Sequence, residues 1–482
     1  MIQTAEVQII PMIIWEPQPK QAQFLERAEY EACYGGSAGG GKSDSLLAEA
    51  LRQVDIPHYR GIVFRKTVPQ LSELIDRSIQ IYSPAYPKAV FNQNKLCWQF
   101  PSGAKIYFGH MQYSKDKTKY QGKRYDFIGF DELTHFTYEE YSYMFSRNRP
   151  GGPGTRCYIR ATCNPGGIGH GWVKERFIQD KEPYKRYFYK MTIEGVEYTR
   201  DRVFIPSNVF DNKILLQNNP DYVANLALLP EAERKALLYG DWNSFSGQVF
   251  REFRNNSEGY YSQQDTHVIA PFIIPDTWRR YRSFDFGYAK PFSVGWWAVD
   301  PNTQIVYRYR ELYGCTATPN EGVKWTVQEI AQEIKKIENE FDKGKHIIGV
   351  ADPSIWDSSR GDSIAEAFEK EGIFWEKGDN KRLPGKMQLH YRFKIDENTK
   401  KPMLYVFNTC KEFIRIIPAL VYDDTHVEDI NTSIEDHIYD ETRYFLMHET
   451  VKFRTVPKGK ANTKYNPLED DKPNNMYGFM KI

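Results

Sequence analysis

The chain has 482 residues and a net charge of +1, from 64 Lys and Arg against 63 Asp and Glu. Such a length is about three times a usual domain, so a single small module is excluded and two or three separate cores are expected. The even charge balance removes any argument from global basicity, and cations for a polyanionic partner have to be local. Apolar residues at 41% and aromatics at 15% describe a folded chain, not a disordered one.

The longest nearly continuous apolar run, Ile9 to Trp15, is broken by Pro11 and is too short for a bilayer span or a signal-peptide core, so neither membrane insertion nor export is expected. Tyr30 to Tyr34, Ile62 to Arg65, Phe127 to Phe130 and Tyr158 to Thr162 read as buried strands alternating with amphipathic stretches, the pattern of a mainly parallel α/β sheet. After a polar, turn-rich stretch the pattern changes. Tyr281 to Phe286, Ser293 to Val299 and Ile305 to Tyr313 follow one another closely, as in an antiparallel meander, before a helix from about Glu321 to Phe341 and an apolar strand from His346 to Ala351. The expected division is 1–245 as one domain, 246–275 as a linker, 276–451 as a second domain, and 452–482 as a mobile surface arm. Six cysteines, Cys33, Cys97, Cys157, Cys163, Cys315 and Cys410, show neither zinc-site nor CxxC spacing and fit a reducing cytoplasm.

Gly36-Ser37-Ala38-Gly39-Gly40-Gly41-Lys42-Ser43 satisfies GxxxxGK[ST], with a strand-like run before it and a helical stripe of Leu46, Leu47, Ala50, Leu51 and Val54 after it. Glycines such as Gly36, Gly39 and Gly41 let backbone N–H groups turn onto phosphate oxygens; Lys42 reaches the β- and γ-phosphates, and Ser43 ligates Mg²⁺. A nucleotide-hydrolysing loop of this kind also needs a metal-binding carboxylate and a group that orients water, and Asp131 and Glu132 follow the strand Phe127 to Phe130. Thr162 and Asn164, at the tip of the next strand, are placed to sense the γ-phosphate, although Asn164-Pro165-Gly166 also reads as plain turn chemistry. Gln21 offers a donor and an acceptor suited to the adenine edge. For the transition-state cation the sequence leaves Arg65, Arg147 and Arg149 open.

Trp15 to Gln21, Gly36 to Ser43, Phe64 to Thr67, Tyr120 to Gly122, Phe130 to Glu132, Thr162 to Gly167 and Leu238 to Trp242, in this order, resemble the large terminase subunit of tailed double-stranded DNA bacteriophages. The resemblance covers most of the chain. It implies an α/β protein with an N-terminal P-loop NTPase of the RecA/ASCE-like kind and a C-terminal RNase H-like, mixed-sheet nuclease. The implied activity is ATP-driven translocation of double-stranded DNA into a procapsid, with cutting of the concatemeric genome. The implied partners are DNA, the portal protein of the procapsid, the small terminase subunit and further copies in a ring. The implied place is the host cytoplasm, docked transiently on the procapsid and absent from the mature virion.

A nuclease of that kind needs separated carboxylates converging on Mg²⁺ or Mn²⁺. Asp285 lies in Ser283-Phe284-Asp285-Phe286-Gly287 on the first meander strand, and Asp352 lies in Ala351-Asp352-Pro353-Ser354 at the tip of a later one. Glu435 to Tyr444 reads as a helix with Asp436 and Asp440 on one face. Singly, each such Asp reads as a cap or a solvated turn; the resemblance makes them metal ligands, with Asp440 the best third ligand, Asp436 and His437 close by, and Glu311 a distant candidate. DNA contacts are expected from three basic clusters: Lys115, Lys117, Lys119, Lys123 and Arg124; Arg279, Arg280 and Arg282; Lys381, Arg382 and Lys386. A P-loop DNA helicase or translocase with a non-catalytic second domain is the alternative.

Overall fold

The computed structural model describes residues 13–451 except Ser244, Ser246, Arg360, Asp424, Thr425 and Val427, so the arm expected at 452–482 lies outside the described residues. Among the described residues sixteen strands fall into two sheets. The first holds β1 (Glu31–Gly36), β2 (Arg60–Arg65), β3 (Val90–Asn92), β4 (Cys97–Gln99), β5 (Lys105–His110), β6 (Phe127–Phe130), β7 (Tyr158–Cys163), β8 (Tyr187–Ile193) and β9 (Val196–Ser207). Their order is β3-β4-β5-β2-β6-β7-β1-β9-β8, parallel from β5 to β9 with antiparallel strands at both edges. Helices cover both faces of the parallel part, which is why β1, β6 and β7 are buried at every position.

The second sheet comprises β10 (Val268–Ile269), β11 (Arg279–Asp285), β12 (Ser293–Val299), β13 (Val306–Tyr313), β14 (Ile347–Ala351), β15 (Glu376–Lys377) and β16 (Leu404–Phe407), in the order β10-β16-β13-β12-β11-β14-β15. The meander β11-β12-β13 is antiparallel, while β14 and β16 add in parallel on either side. Sheet type therefore changes between the halves as the sequence pattern indicates. The helix after the meander spans Val327–Phe341, shorter than expected, because Thr326 accepts from the Glu329 N–H and forms a capping box with it that sets the start. Glu338 and Asp342 at its end pair with Arg282 and Arg280, two buried cations on β11.

The stretch 246–275, expected as a linker, contributes Val249, Phe250, Phe253, Val268, Ile269 and Ile274 to the second core, and β10 pairs with β16. It is built into the second half instead of hanging between the two. The halves meet where Ala236, Phe245 and Ile168 pack with Val421 and Ile434, and where Arg415 lies 3.5 Å from Glu175. Among the described residues no helix is long and apolar enough to cross a membrane.

Candidate active sites

The first site stands at the carboxyl ends of β1, β2, β6 and β7, where a parallel sheet opens a crevice. The glycine loop leaves β1 and ends at the helix Lys42–Ala50, with Gly39 and Gly41 at φ +72°. That left-handed conformation suits a residue without Cβ. Lys42 is buried and its ammonium rests on the Ser37 carbonyl at 2.6 Å. Burial pulls its pKa down, opposed by the carboxylates of Glu132 and Asp131, so a phosphate would be a better partner than the carbonyl it now holds.

Asp131 is fully buried after β6 and is the hub of the site. Ser43 Oγ lies 3.0 Å from both of its oxygens, Arg65 Nε donates to Oδ2 at 2.7 Å, and Thr162 Oγ1 donates to Oδ1. Thr162 Oγ1 also accepts from the Glu132 N–H at 3.2 Å, holding Glu132 in a left-handed backbone conformation at φ +57°. Asn164 Nδ2 then donates to both Glu132 oxygens at 3.0 Å each. The structure thus brings Lys42, Ser43, Asp131, Glu132, Thr162, Asn164 and Arg65 together, and the β7 tip physically links the two carboxylates.

Gln21 is placed differently from expectation. Its Oε1 accepts from Gln18 N at 2.8 Å and its Nε2 donates to Gly41 O at 2.8 Å, so both ends of the amide face the protein and not an adenine edge. Arg147 and Arg149 pair through their backbones with Tyr125, at the opposite end of β6 from Asp131. Six extended residues span roughly 20 Å, so neither reaches the phosphate site of its own chain. Arg65 is the cation already inside it.

The second site stands where β11 and β14, parallel neighbours, end side by side. Asp285 closes β11, Asp352 follows β14, and the terminal helix, His437–Met447, crosses them. His437 Nδ1 lies 3.0 Å from Asp285 Oδ2, and Arg443 Nη2 lies 2.7 Å from Asp440 Oδ1. Asp436 is the cap residue of this helix and not part of it, its carbonyl accepting from Asp440 N at 3.0 Å; the expected start at Glu435 is two residues early.

Burial, reinforced by the charges of Asp440 and Asp352, raises the Asp285 pKa, and burial with Asp440 raises that of Asp436. Burial also pulls His437 down, but Asp285, Asp436 and Asp440 outweigh it and hold the ring above its usual value. Acids crowded in this way, with oxygen donors only, suit a hard divalent cation. Among the described residues no three His, Cys, Asp or Glu side chains already stand in ligating geometry, so the donor chemistry fits while Arg443 and His437 hold two of the carboxylates. Glu311 is not a ligand candidate: it accepts from Glu412 N at 2.7 Å and Phe413 N at 3.1 Å, capping the helix Lys411–Ile416, and sits 3.5 Å from Arg308.

Sequence reading missed the support beneath this site. Glu441, next to Asp440 and fully buried, accepts from Arg308 Nη1 at 2.7 Å, Trp297 Nε1 at 3.1 Å and Ser293 Oγ at 3.3 Å, and from Ser283. In two of the basic clusters Arg279 and Lys381 are exposed, but the other members are held by the protein. Arg280 and Arg282 are the buried partners of Asp342 and Glu338, while Arg382 holds Asp429 and Lys386 donates to the Glu428 carbonyl. In the third, Lys117 and Lys119 pair with Glu139 and Asp116, and Lys115, Lys123 and Arg124 stay exposed.

Residues 33–257 match the family described as the T4-like-virus type of the terminase large subunit, N-terminal part. No curated protein is significantly similar to the chain. Among solved structures, the large terminase of a thermophilic bacteriophage is 18% identical over 90% of this chain and 100% of its own, with a TM-score of 0.38. The HK97 bacteriophage large terminase is 10% identical over 90% and 94%, with a TM-score of 0.46. The nuclease domain of the P22 large terminase is 18% identical over 42% of this chain and 92% of its own, with a TM-score of 0.32. The phosphate loop and both carboxylates of the first site lie inside residues 33–257, the part of this chain that is similar to the N-terminal part of the terminase large subunit.

Proposed function

We propose that the chain is a DNA-packaging motor that hydrolyses ATP at the first site to move double-stranded DNA into a procapsid and cuts the concatemer at the second. The observation that carries this reading is the single hydrogen-bonded chain Ser43, Asp131, Thr162, Glu132, Asn164, which joins a phosphate loop, a metal carboxylate and a water-orienting carboxylate. Lys42 exchanges the Ser37 carbonyl for phosphate oxygens. Ser43 and Asp131 would hold Mg²⁺, which supplies charge neutralisation at the phosphates. Glu132, its carboxylate aimed by Asn164, orients and takes a proton from the attacking water. Arg65 stands beside Asp131 as the cation for charge that develops as the phosphate leaves.

At the second site Asp285, Asp352 and Asp440 would hold Mg²⁺ or Mn²⁺, which supply Lewis-acid stabilisation of the attacking and leaving phosphodiester oxygens. Arg443 and His437 keep these carboxylates apart and oriented, and release of one of those bonds lets them converge. Lys115, Lys123 and Arg124 are free to meet DNA phosphates. The portal protein, the small terminase subunit, a ring of copies and the host cytoplasm belong to the same reading. In such a ring Arg147 or Arg149 could serve only a neighbouring copy.

A translocase with a non-catalytic second half is the competing reading, and the absence of ready ligating geometry among the described residues favours it. Supercoiled plasmid incubated with the protein and Mn²⁺ separates the two. Nicked and linear products support the nuclease; intact plasmid alongside DNA-stimulated ATP hydrolysis supports the translocase.

A further inference from the structure

Gly39, Gly40 and Gly41 form a run with no side chains to hold it, and glycine loses more backbone freedom on ordering than any other residue. Each of their three carbonyls is nonetheless tied by a side chain from a different element. Asn212 Nδ2 donates to Gly39 O at 2.7 Å, Tyr34 Oη to Gly40 O at 3.2 Å, and Gln21 Nε2 to Gly41 O at 2.8 Å. In a planar trans peptide the carbonyl and the next N–H point in opposite directions. Holding these three carbonyls outward therefore aims the N–H groups of Gly40, Gly41 and Lys42 the other way, over the start of the helix Lys42–Ala50.

The donors are themselves braced. Asn212 Oδ1 accepts from Gln18 Nε2 at 2.6 Å and from Leu215 N at 3.1 Å, Gln21 Oε1 accepts from Gln18 N, and Tyr34 is fully buried. Little room is left for adjustment: a Cβ on Gly39 would come within 2.6 Å of Tyr222, and one on Gly41 within 2.5 Å of the Gln21 amide. A triglycine loop clamped at every carbonyl has lost its freedom before any ligand arrives, which lowers the entropy that binding must remove.

We propose that Tyr34, Gln21 and Asn212 are positioning residues that pre-organise the phosphate cradle, so that their contribution to nucleotide binding is the same whatever the base. This rests on the nucleotide reading of the first site and assigns Gln21 to the loop instead of to adenine.

The test is calorimetric titration of the full chain and its Tyr34→Phe, Gln21→Ala and Asn212→Ala variants with ADP, GDP and inorganic tripolyphosphate. One hydrogen bond corresponds to a Kd rise of about five- to tenfold, expected in each variant and equal across the three ligands. In steady state the KM for ATP should rise more than kcat falls, a split that a mere loss of stability would not produce. Tyr34→Phe removes one hydroxyl and keeps the packing, so it tests the idea even if Asn212→Ala, which also loses a helix cap, folds poorly. Unchanged Kd values in Tyr34→Phe and Gln21→Ala, or a loss confined to ADP, would overturn the proposal. Wild-type protein that binds none of the three would instead remove the nucleotide reading itself.

Discussion

The Asn164 amide donates to both carboxylate oxygens of Glu132 at 3.0 Å, while its own Oδ1 is buried without a partner. Asn164 thus fixes Glu132 while keeping one acceptor unused, an arrangement that a donor such as a bound water could complete. A positioned base contributes roughly 10²–10⁴-fold, so Asn164→Ala is expected to lower kcat for ATP by about tenfold or more with ADP affinity little changed. Steady-state kinetics with a parallel ADP titration checks this; wild-type kcat would leave Asn164 as a turn former.

Glu132→Gln keeps the size of the side chain and its contact with Asn164 but cannot take a proton. Nucleotide should still bind, and single-turnover hydrolysis should fall by at least about a hundredfold. Rapid turnover in a quench-flow measurement would move the water-orienting role to another residue.

The Glu441 and Arg308 pair is fully buried and joins the terminal helix to β11, β12 and β13. Removing one partner leaves a buried charge uncompensated, so Glu441→Ala should cost about 3–5 kcal/mol in denaturant unfolding of the second half. Glu441→Gln, which keeps the shape and part of the hydrogen bonding, should cost less. Equal losses would show that packing, not charge, holds the helix.

At the metal site, Asp285→Ala, Asp352→Ala and Asp440→Ala should each eliminate cleavage, a loss of several kcal/mol in transition-state stabilisation. Asp436→Ala should be milder, since that residue caps the helix and touches the cluster from its edge. Plasmid cleavage titrated with Mn²⁺ ranks them; a dead Asp436→Ala with an active Asp440→Ala would reassign the third ligand.

His170 accepts from Gly166 N through Nδ1 at 3.0 Å and faces the Trp242 carbonyl through Nε2 at 3.2 Å, so its neutral form uses both nitrogens. Burial, aided by Lys174, holds its pKa down to about 3, and burial holds buried His267 at about 4. Both lie below the unfolded value, so the unfolded chain takes up more protons as pH falls. Stability is then full above about pH 6.5 and declines below it, by up to about 1.4 kcal/mol per pH unit for each ring, until the folded values are reached. Unfolding midpoints between pH 7 and 5 should fall, with proton uptake on unfolding; a flat profile would contradict the buried neutral rings.

The strands were legible because buried β-branched runs and Gly-Lys-Ser, Asp-Glu and Asp-Pro tips carry their own signal. What was not legible depends on distant partners. Gln21 is 20 positions from Gly41, and Asn212 is 173 from Gly39, so no local pattern ties them to the loop. Arg280 and Arg282 read as exposed cations by sequence, yet Asp342 and Glu338, supplied by a helix some fifty residues later, draw them inside. The helix holding Asp440 is legible, but its start lies two residues after the expected one, with Asp436 at the cap position and no side-chain capping bond to mark it.

The proposed function needs two chemically independent sites in one chain, and Lys42→Ala and Asp285→Ala, assayed side by side for ATP hydrolysis and Mn²⁺-dependent plasmid cleavage, address that most directly. Lys42→Ala should lose ATP turnover and keep cleavage, and Asp285→Ala should lose cleavage and keep ATP turnover. Loss of both activities in either folded variant, or cleavage that persists in Asp285→Ala, would contradict it.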